Sequence, residues 1–298
     1  MSNQHLIIEE RSKDIGDFMV GRLLPFRKKR MVGPFIFIDH MSPALLGKDR
    51  TMSVDQHPHI GLATLTYLIE GAVMHADSIG TLQRISPGAV NLMIAGKGVT
   101  HTERTPPDLI GKSYRIEGYQ IWLALPKEME DMEPVFYHVE NKDTPVWEQH
   151  QVQFRLIAGN ALGQQSKLPL WSDLFMIEIT STADRVLNFS GLLKGEIGIL
   201  VNQGSVLACN EKIEKGHLLV SKEQDVCKIE IQAGSRIFVF GGQPFPEKRF
   251  IDWNFVSSSL EKIRQAKADW KNHRFPTVSN DDTYIPYPIP KIPPNKNR

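Results

Sequence analysis

The 298-residue sequence predicts an all-β protein built as a sandwich or a barrel. Short runs of strand-forming residues follow one another as far as about residue 250, and glycine or proline closes most of them. No helical repeat separates these runs, which argues against a parallel α/β sheet. The apolar fraction of 41% and the charged fraction of 23% are ordinary for a globular protein.

The first block of predicted strands ends at Pro126. Residues 33–40 are a turn that leads into a strand, residues 61–71 are rich in strand formers, and residues 119–125 form a largely apolar strand. Between the second and third of these lie turn signals at the spacing of a β-meander. They are Gly80, Pro87-Gly88 and Gly96-Lys97-Gly98.

A polar, turn-rich stretch between about residues 127 and 145 predicts a domain boundary. We place it so that residues 1–135 form one domain and residues 136–298 the other. The second block of predicted strands covers residues 154–159, 174–179, 196–201 and 235–242.

Helical signals are confined to two stretches. Ser258 with Glu261 predicts a capping box, and a stripe at helical spacing follows through residue 271. The stripe consists of Leu260, Ile263, Ala266 and Trp270. Residues 127–130 give a weaker helical signal. The proline-rich segment 285–294 predicts an extended tail that lies along its own domain, with a docking ligand for a partner protein as the alternative.

Charge and composition exclude several classes of function. A net charge of +1 gives no electrostatic reason to expect direct binding of nucleic acid or of an anionic membrane. The basic run 27–30 is short and is interpreted as a solvated loop. We find no apolar run of transmembrane length and no signal peptide. Cys209 and Cys227 are too few for a disulfide framework and indicate buried thiols in a reducing cytoplasm.

Two short motifs predict a metal site in the first block. They are His57-Pro58-His59 and His101-Thr102-Glu103. Residues two apart on a strand share a face, so each motif aims two side chains at one point. Three imidazoles and one carboxylate suit a first-row divalent metal and leave coordination positions open. Pro58 cannot donate to a sheet, which favours an edge strand or a strand start.

A set of segments, dense from about residue 20 to residue 126 and sparser beyond, follows a known pattern. The segments are Gly33-Pro34-Phe35 through Asp39-His40-Met41, His57-Pro58-His59-Ile60-Gly61-Leu62-Ala63-Thr64, Tyr67-Leu68-Ile69-Glu70-Gly71, Pro87-Gly88, Ala95-Gly96-Lys97-Gly98 with His101-Thr102-Glu103-Arg104, Gln120-Ile121-Trp122-Leu123, Trp253-Asn254-Phe255-Val256-Ser257-Ser258 and Gln265-Ala266-Lys267-Ala268-Asp269-Trp270. Together they closely resemble the pirin family of the cupin superfamily.

The resemblance implies a bicupin, in which two antiparallel β-barrels of the jelly-roll type face each other. The N-terminal barrel would hold one iron through the ligand set His57, His59, His101 and Glu103. The common cupin motif has a glutamate ligand four or five residues after its second histidine. This sequence has Ala63 and Thr64 there, a departure that pirins share. In the second barrel His217 stands without a ligand motif, so that barrel is expected to be metal-free.

Two functions follow from the resemblance. Some pirins are quercetin 2,3-dioxygenases, which implies Fe²⁺, or alternatively nickel, cobalt, manganese or copper, with a flavonol and O₂ as substrates. Glu103 would then act as general base on the flavonol 3-hydroxyl. Other pirins are iron-dependent, redox-sensitive regulators that bind transcription factors or metabolic enzymes. A structural metal site ranks third, because such sites usually have closed coordination.

Four further side chains receive secondary interpretations. His40 is expected to be a structural hydrogen-bonding group, and Glu70 a structural residue next to a turn. His75 is expected on the surface of a hairpin. Gln120 is a candidate hydrogen-bond partner for the predicted imidazole ligands.

Overall fold

The computed structural model describes residues 5–14, 19–47, 50–221 and 228–288. In the first half of the chain the strands are β1 Leu6–Glu9, β2 Arg11–Asp14, β3 Met19–Leu24, β4 Phe35–Leu46, β5 Ser53–His59, β6 Leu62–Glu70, β7 Val73–Asp77, β8 Leu82–Ile85, β9 Val90–Ile94, β10 Val99–Arg104, β11 Tyr114–Ala124 and β12 Val135–Val139. In the second half they are β13 Val146–Gln149, β14 Val152–Ala161, β15 Gln164–Gln165, β16 Leu174–Ser181, β17 Arg185–Asn188, β18 Glu196–Gln203, β19 Ser205–Ala208, β20 Glu211–Glu214, β21 His217–Ser221, β22 Lys228–Ile231, β23 Arg236–Gly242, β24 Phe250–Asp252 and β25 Phe255–Ser257. The α-helix α1 is Leu260–Lys271, and short 3₁₀ helices are Pro107–Leu109, Lys127–Met129 and Asn141–Asp143.

Each half of the chain forms a long sheet and a short sheet. Among the described residues, the long sheet of the first half has the order β12-β9-β6-β11-β4-β3-β2, and the short sheet has the order β5-β10-β7-β8. In the second half the orders are β1-β21-β18-β23-β16-β14-β13, with β15 on β14, and β17-β22-β19-β20. Strands β24 and β25 pair separately. The all-β prediction is confirmed, and each half is two stacked sheets rather than one closed barrel.

The two long sheets pack against each other through one shared hydrophobic core. Phe35 contacts Phe240 with ring centroids 4.8 Å apart, and Tyr119 contacts Phe238 at 4.9 Å. Strand β1 hydrogen-bonds to β21, so the first strand of the chain extends the long sheet of the second half. Strand β12 pairs with β9 across the predicted boundary at residue 135. The division into residues 1–135 and 136–298 stays a prediction. Two strands cross it: β1 pairs with β21 of the second part, and β12, which lies almost wholly in the second part, pairs with β9 of the first.

Strand alternation decides which side chains reach the interior of the first half. On β6, Ala63, Leu65 and Tyr67 point into the shared core. On β11, Tyr119, Ile121 and Leu123 do the same. Successive side chains of a strand face opposite ways, so the residues between them face the short sheet. Those residues provide one wall of the candidate site.

The helix and the tail follow the sequence prediction with small differences. Helix α1 begins one residue later than predicted, because its cap is Ser259, whose side chain accepts a hydrogen bond from the backbone N–H of Lys262. Its buried residues are Ile263, Ala266 and Trp270, as predicted, whereas Leu260 is 47% exposed. The stretch 127–129 is a 3₁₀ helix, too short to be an α-helix.

The described part of the tail contacts both predicted domains, and not only its own domain as predicted. Ile285 donates its N–H to the carbonyl of Gln56, and the Trp270 indole donates to the carbonyl of Ile285. These bonds attach the tail to the outer edge of β5, which the proline at position 58 marks as an edge strand. The rest of the predicted polyproline segment, residues 289–294, lies outside the described residues.

Two further expectations concern the cysteines and membranes. Cys209 is partly exposed in a turn, so the prediction that it is buried is wrong, and Cys227 lies outside the described residues. In the described part of the chain, no helix has the length and apolarity that crossing a membrane requires.

A polar cluster is buried where the two long sheets meet. His40 Nδ1 lies 2.8 Å from Glu10 Oε1, and His40 Nε2 lies 3.4 Å from Glu117 Oε1. Asn202 in the second half donates to Glu117 at 2.8 Å and to the Tyr119 hydroxyl at 3.2 Å. Burial opposes a charge on His40, but its two glutamate partners outweigh that effect and raise the pKa of His40. The predicted structural role of His40 fits this position.

This cluster makes stability depend on pH. The raised pKa of His40 means that its contribution is complete below the imidazole's unfolded-state pKa and is lost as pH rises through its folded-state pKa. We expect His40→Gln to lower the free energy of unfolding by about 1–3 kcal/mol near neutral pH and to remove this loss at higher pH. Urea denaturation across pH 6 to 9 measures both effects. His273→Gln, at an exposed position, is the control, and an unchanged pH dependence in His40→Gln would contradict the assignment.

Candidate metal centre

Strands β5 and β10 bring the two histidine motifs side by side. They pair antiparallel, with His57 opposite His101 and His59 opposite Val99. Gly61 follows β5 with φ of +64°, and a Cβ there would lie 2.0 Å from the carbonyl oxygen of Val256. Glycine at this position therefore lets β25 pack directly against the turn that follows His59.

The three histidines each present one ring nitrogen to a common point. Their ligand atoms all lie within 4.8 Å, and the Nε2 atoms of His59 and His101 are 3.1 Å apart. On the outer side, His57 Nδ1 lies 2.8 Å from the carbonyl of Asp55, and His59 Nδ1 lies 3.2 Å from the carbonyl of Asn254. A carbonyl can only accept, so both Nδ1 atoms carry the proton and both Nε2 lone pairs are free.

His101 contacts a histidine that in turn contacts an aspartate, and neither of these two residues was expected at the site from the sequence. His101 Nδ1 lies 3.4 Å from His75 Nδ1, and His75 Nε2 lies 3.0 Å from Asp77 Oδ2. Asp77 also accepts from the backbone N–H groups of Ile79 and Thr81. His75 is only 4% exposed, so its predicted surface position is wrong. The reason is that β7 is an inner strand, between β10 and β8.

The alternation His75-Ala76-Asp77 was a usable signal for this pair. It has the same spacing of two as the ligand motifs, and β7 pairs with β10 so that His75 lies opposite Glu103 and Asp77 opposite His101. The same alternation rule, used for β7 as well, would have placed both side chains beside the candidate ligands.

Glu103 lies on the His75 side of the cluster. The register between β10 and β5 shifts between His101 and Glu103, and Glu103 forms a second group with His75 and His101 whose ligand atoms lie within 4.8 Å of one another. Within the described part of the chain its carboxylate has no hydrogen-bond or ion-pair partner. Burial raises the pKa of Glu103 to about 7. The four predicted ligands thus fall into two groups that share His101, and the group with Glu103 also contains His75.

Burial keeps the three imidazoles neutral. It lowers the pKa of His57 to about 4 and lowers the pKa values of His59 and His101 well below the ordinary range. Neutral imidazole is the form that binds a metal. Three neutral nitrogens with a nearby carboxylate suit a first-row divalent ion, and the outer hydrogen bonds on each Nδ1 are those that metal-bound histidines usually make. The residues present therefore fit a metal ion.

A cavity of about 360 Å³ opens onto the histidines. Its volume is at the lower end of the range for small-molecule pockets, about 300–1,000 Å³. It is lined by Asp14, Val20, Arg22, Phe37, Asp39, Met41, Met52, Val54, His57, His59, His101, Glu103, Gln120, Trp122, Trp253, Asn254 and Ile285. The last group, from Trp253 onward, comes from the second half and the tail, and no local sequence signal pointed to it.

Gln120 does not contact the imidazoles through a hydrogen bond in the described structure. Its Oε1 accepts from the Thr66 hydroxyl at 2.9 Å, and its side chain lies on the opposite wall of the cavity. The candidate role of Gln120 as a partner of the ligands is therefore wrong. The carbonyls of Asp55 and Asn254, together with His75, fill that role.

Comparisons with known proteins agree with this architecture. The family model described as Pirin matches residues 17–123, and the model described as Pirin C-terminal cupin domain matches residues 177–276. A pirin-like protein of Caulobacter vibrioides is 40% identical over 291 residues, which cover 95% of this chain and 99% of that protein.

Solved structures extend the likeness to the whole fold. The crystal structure of quercetin 2,3-dioxygenase from Acinetobacter baumannii has a TM-score of 0.86 at 31% identity, covering 98% of this chain and 96% of that chain. The bacterial pirin YhhW of Escherichia coli, solved in complex with nickel(II), has a TM-score of 0.63 at 19% identity, covering 81% and 100%. These matches confirm the predicted bicupin fold, with two cupin domains.

Removing His75 should weaken metal binding. We expect His75→Phe, which can still stack on Phe136, to lower affinity for a divalent metal about 10–100-fold, because His101 Nδ1 loses its acceptor. Competition with a chromogenic chelator measures this. His138→Gln, a half-buried histidine on β12, is the control. Wild-type affinity in His75→Phe would show that the contact does not support the ligand.

Proposed function

The chain belongs to the pirin family, and from that premise we propose that it is a mononuclear metal-dependent dioxygenase that cleaves flavonols such as quercetin. The products would be a depside and carbon monoxide. The main support is that ring nitrogens of His57, His59 and His101 lie within 4.8 Å of one another at the wall of a cavity of about 360 Å³. We also propose the cytoplasm as its location, from the low cysteine content of the chain.

The proposed ligands are His57, His59, His101 and Glu103. The bound ion, proposed to be Fe²⁺, would supply Lewis acidity toward the flavonol 3-hydroxyl and would mediate electron transfer from the flavonol to dioxygen. Nickel, cobalt, manganese and copper suit the same donor atoms.

The protein's own contribution is to orient the substrate and to exclude water. Phe37 and Trp122 stack with ring centroids 3.8 Å apart, and Trp122 meets His59 edge-on at 5.1 Å. The edges of these rings line the cavity, and aromatic edges pack well against the face of a planar ring system beside the histidines. The apolar side chains of Met41 and Met52 also line this cavity. Holding the reacting ring in one orientation is itself a large part of catalysis.

Glu103 is the proposed general base. Its carboxylate lines the cavity next to the ligand histidines, and no protein donor among the described residues occupies it. It is therefore placed to take the proton from the flavonol 3-hydroxyl on one of its oxygens and to return it to the product.

The open cavity favours catalysis over regulation. A regulator that senses iron redox state needs no route for an aromatic molecule to the metal, whereas an oxygenase does. The cavity gives direct access to His57, which is half-buried. The deciding experiment is anaerobic reconstitution with Fe²⁺, followed by quercetin and oxygen, with flavonol absorbance and carbon monoxide release recorded. Stoichiometric metal without turnover would favour the regulator.

His57→Ala should abolish both metal binding and turnover. Only two imidazoles of the three-histidine group would remain, and a chelated ion would be held too weakly to survive gel filtration. Metal content after gel filtration and flavonol loss are the readouts. Full activity in this variant, or in protein treated with a chelator, would remove the metal from the mechanism.

Glu103→Gln should separate metal binding from proton transfer. We expect partial metal retention with turnover lowered by about 10²-fold or more, because the amide cannot act as a base. The matched control is Glu70→Gln, an exposed glutamate that pairs with Arg115. Equal activity of Glu103→Gln and wild type, at equal metal content, would exclude the base role.

A further inference from the structure

We propose that the cavity contains a second binding subsite, opposite the histidines, in which Arg22 and Gln120 donate hydrogen bonds to oxygen substituents of a planar aromatic ligand. The inference deepens the proposed function: it rests on that function for the end of the ligand that meets the metal. It identifies the ligand class as an aromatic molecule with phenolic or carbonyl oxygens on the ring remote from that end.

The subsite lies in one register row across the long sheet. Thr66 pairs with Gln120, Gln120 pairs with Asp39, and Asp39 pairs with Arg22, on β6, β11, β4 and β3 in turn. Of these, Gln120, Asp39 and Arg22 line the cavity. The histidines come from the short sheet, so a ligand between the two sheets can contact both walls.

Gln120 is oriented by its neighbour. The Thr66 hydroxyl donates to Gln120 Oε1 at 2.9 Å, which fixes the amide so that its Nε2 group is the end left for other partners. Among the described residues that NH₂ group has no acceptor. Because Gln120 is half-buried on the cavity wall, its two N–H donors are available to a ligand.

Arg22 is fixed in the same way. Its Nε and Nη2 each donate to an Asp39 carboxylate oxygen at 2.8 Å, and its guanidinium lies 4.4 Å from the centroid of the Phe37 ring. These contacts hold the planar group rigid and leave Nη1 without an acceptor in the described part of the chain. Asp39 is 4% exposed, so the pair forms part of the wall itself.

An aromatic row lies beside this polar row. Thr64, Trp122 and Phe37 are register partners, and the stacked Phe37 and Trp122 rings reach from Arg22 to His59. A planar ligand packed against the edges of these rings would meet the histidines at one end and the N–H donors at the other. The donors at that end require acceptor oxygens, since an unsubstituted hydrocarbon ring would leave them unpaired.

The test compares two flavonols on nickel-loaded protein without oxygen, so that binding is measured in the absence of turnover. Quercetin and 3-hydroxyflavone share the 3-hydroxy-4-carbonyl group, but only quercetin has hydroxyls on both outer rings. We expect wild type to bind quercetin about tenfold or more tightly than 3-hydroxyflavone in absorbance titrations.

Gln120→Leu and Arg22→Lys should each reduce that preference to about threefold or less, with the affinity for 3-hydroxyflavone and the nickel content unchanged. The leucine keeps the volume of the side chain, and the lysine keeps a cation beside Asp39, so either variant alone suffices if the other folds poorly. Gln265→Leu, on the exposed face of α1, is the matched control.

The outcomes separate this inference from the proposed function. A preference that survives in both variants, or an equal loss for both flavonols, overturns the subsite. Cleavage of quercetin by the iron form together with such a result leaves the dioxygenase intact. A preference that the variants abolish, without any turnover by the iron form, supports the subsite and overturns the dioxygenase. No binding of either flavonol overturns both.

Discussion

Packing between the two long sheets is the constraint on which the rest of the structure depends. It commits one face of β6 and β11 to the shared core, through residues such as Leu65 and Tyr119, and leaves the other face to the cavity. A one-residue slip of either strand would exchange the two sets of side chains, so the hydrophobic core fixes the register of the polar and aromatic rows as well. The hydrophobic face of the sheet, which points away from the cavity, thus determines which side chains form the cavity wall.

The two halves have the same two-sheet sandwich but differ in the side chains that fill the space between the sheets. In the second half the space between its sheets is filled by aliphatic and aromatic side chains, for example Ile199, Val206 and Ile229. In the first half the corresponding space contains imidazoles and a carboxylate. Burying such groups is costly unless they are hydrogen-bonded, and each of the three histidines has an acceptor at Nδ1. The carboxylate of Glu103 is the exception, since it has no hydrogen-bond partner among the described residues. A buried carboxylate without a partner lowers the stability of a fold, and such groups are found where binding or chemistry requires them.

The sequence was sufficient to predict the all-β class and the proximity of His57, His59 and His101, because strand alternation and short turns are local rules. The sequence did not indicate that His75 is buried. This histidine was expected on the surface of a hairpin, and no local sequence pattern shows that β7 lies between two other strands. The sequence could not supply Asn254, which reaches His59 from almost 200 residues away in the chain. The cap of α1 was missed by one residue, because three serines in succession, residues 257–259, each offer a hydroxyl that can cap the helix.

The tail bound to Gln56 has a consequence for biosynthesis. During translation β5 and β10 leave the ribosome early, and the histidine motifs can meet as soon as their sheet forms. The carbonyl of Asn254, which orients His59, and the Ile285 side chain, which lines the cavity, are synthesised long after both histidine motifs. Until residue 254 has been synthesised, the Nδ1 atom of His59 therefore lacks the carbonyl acceptor that orients its ring. The geometry of the candidate site is thus completed by the second half of the chain, although its histidines all lie in the first half.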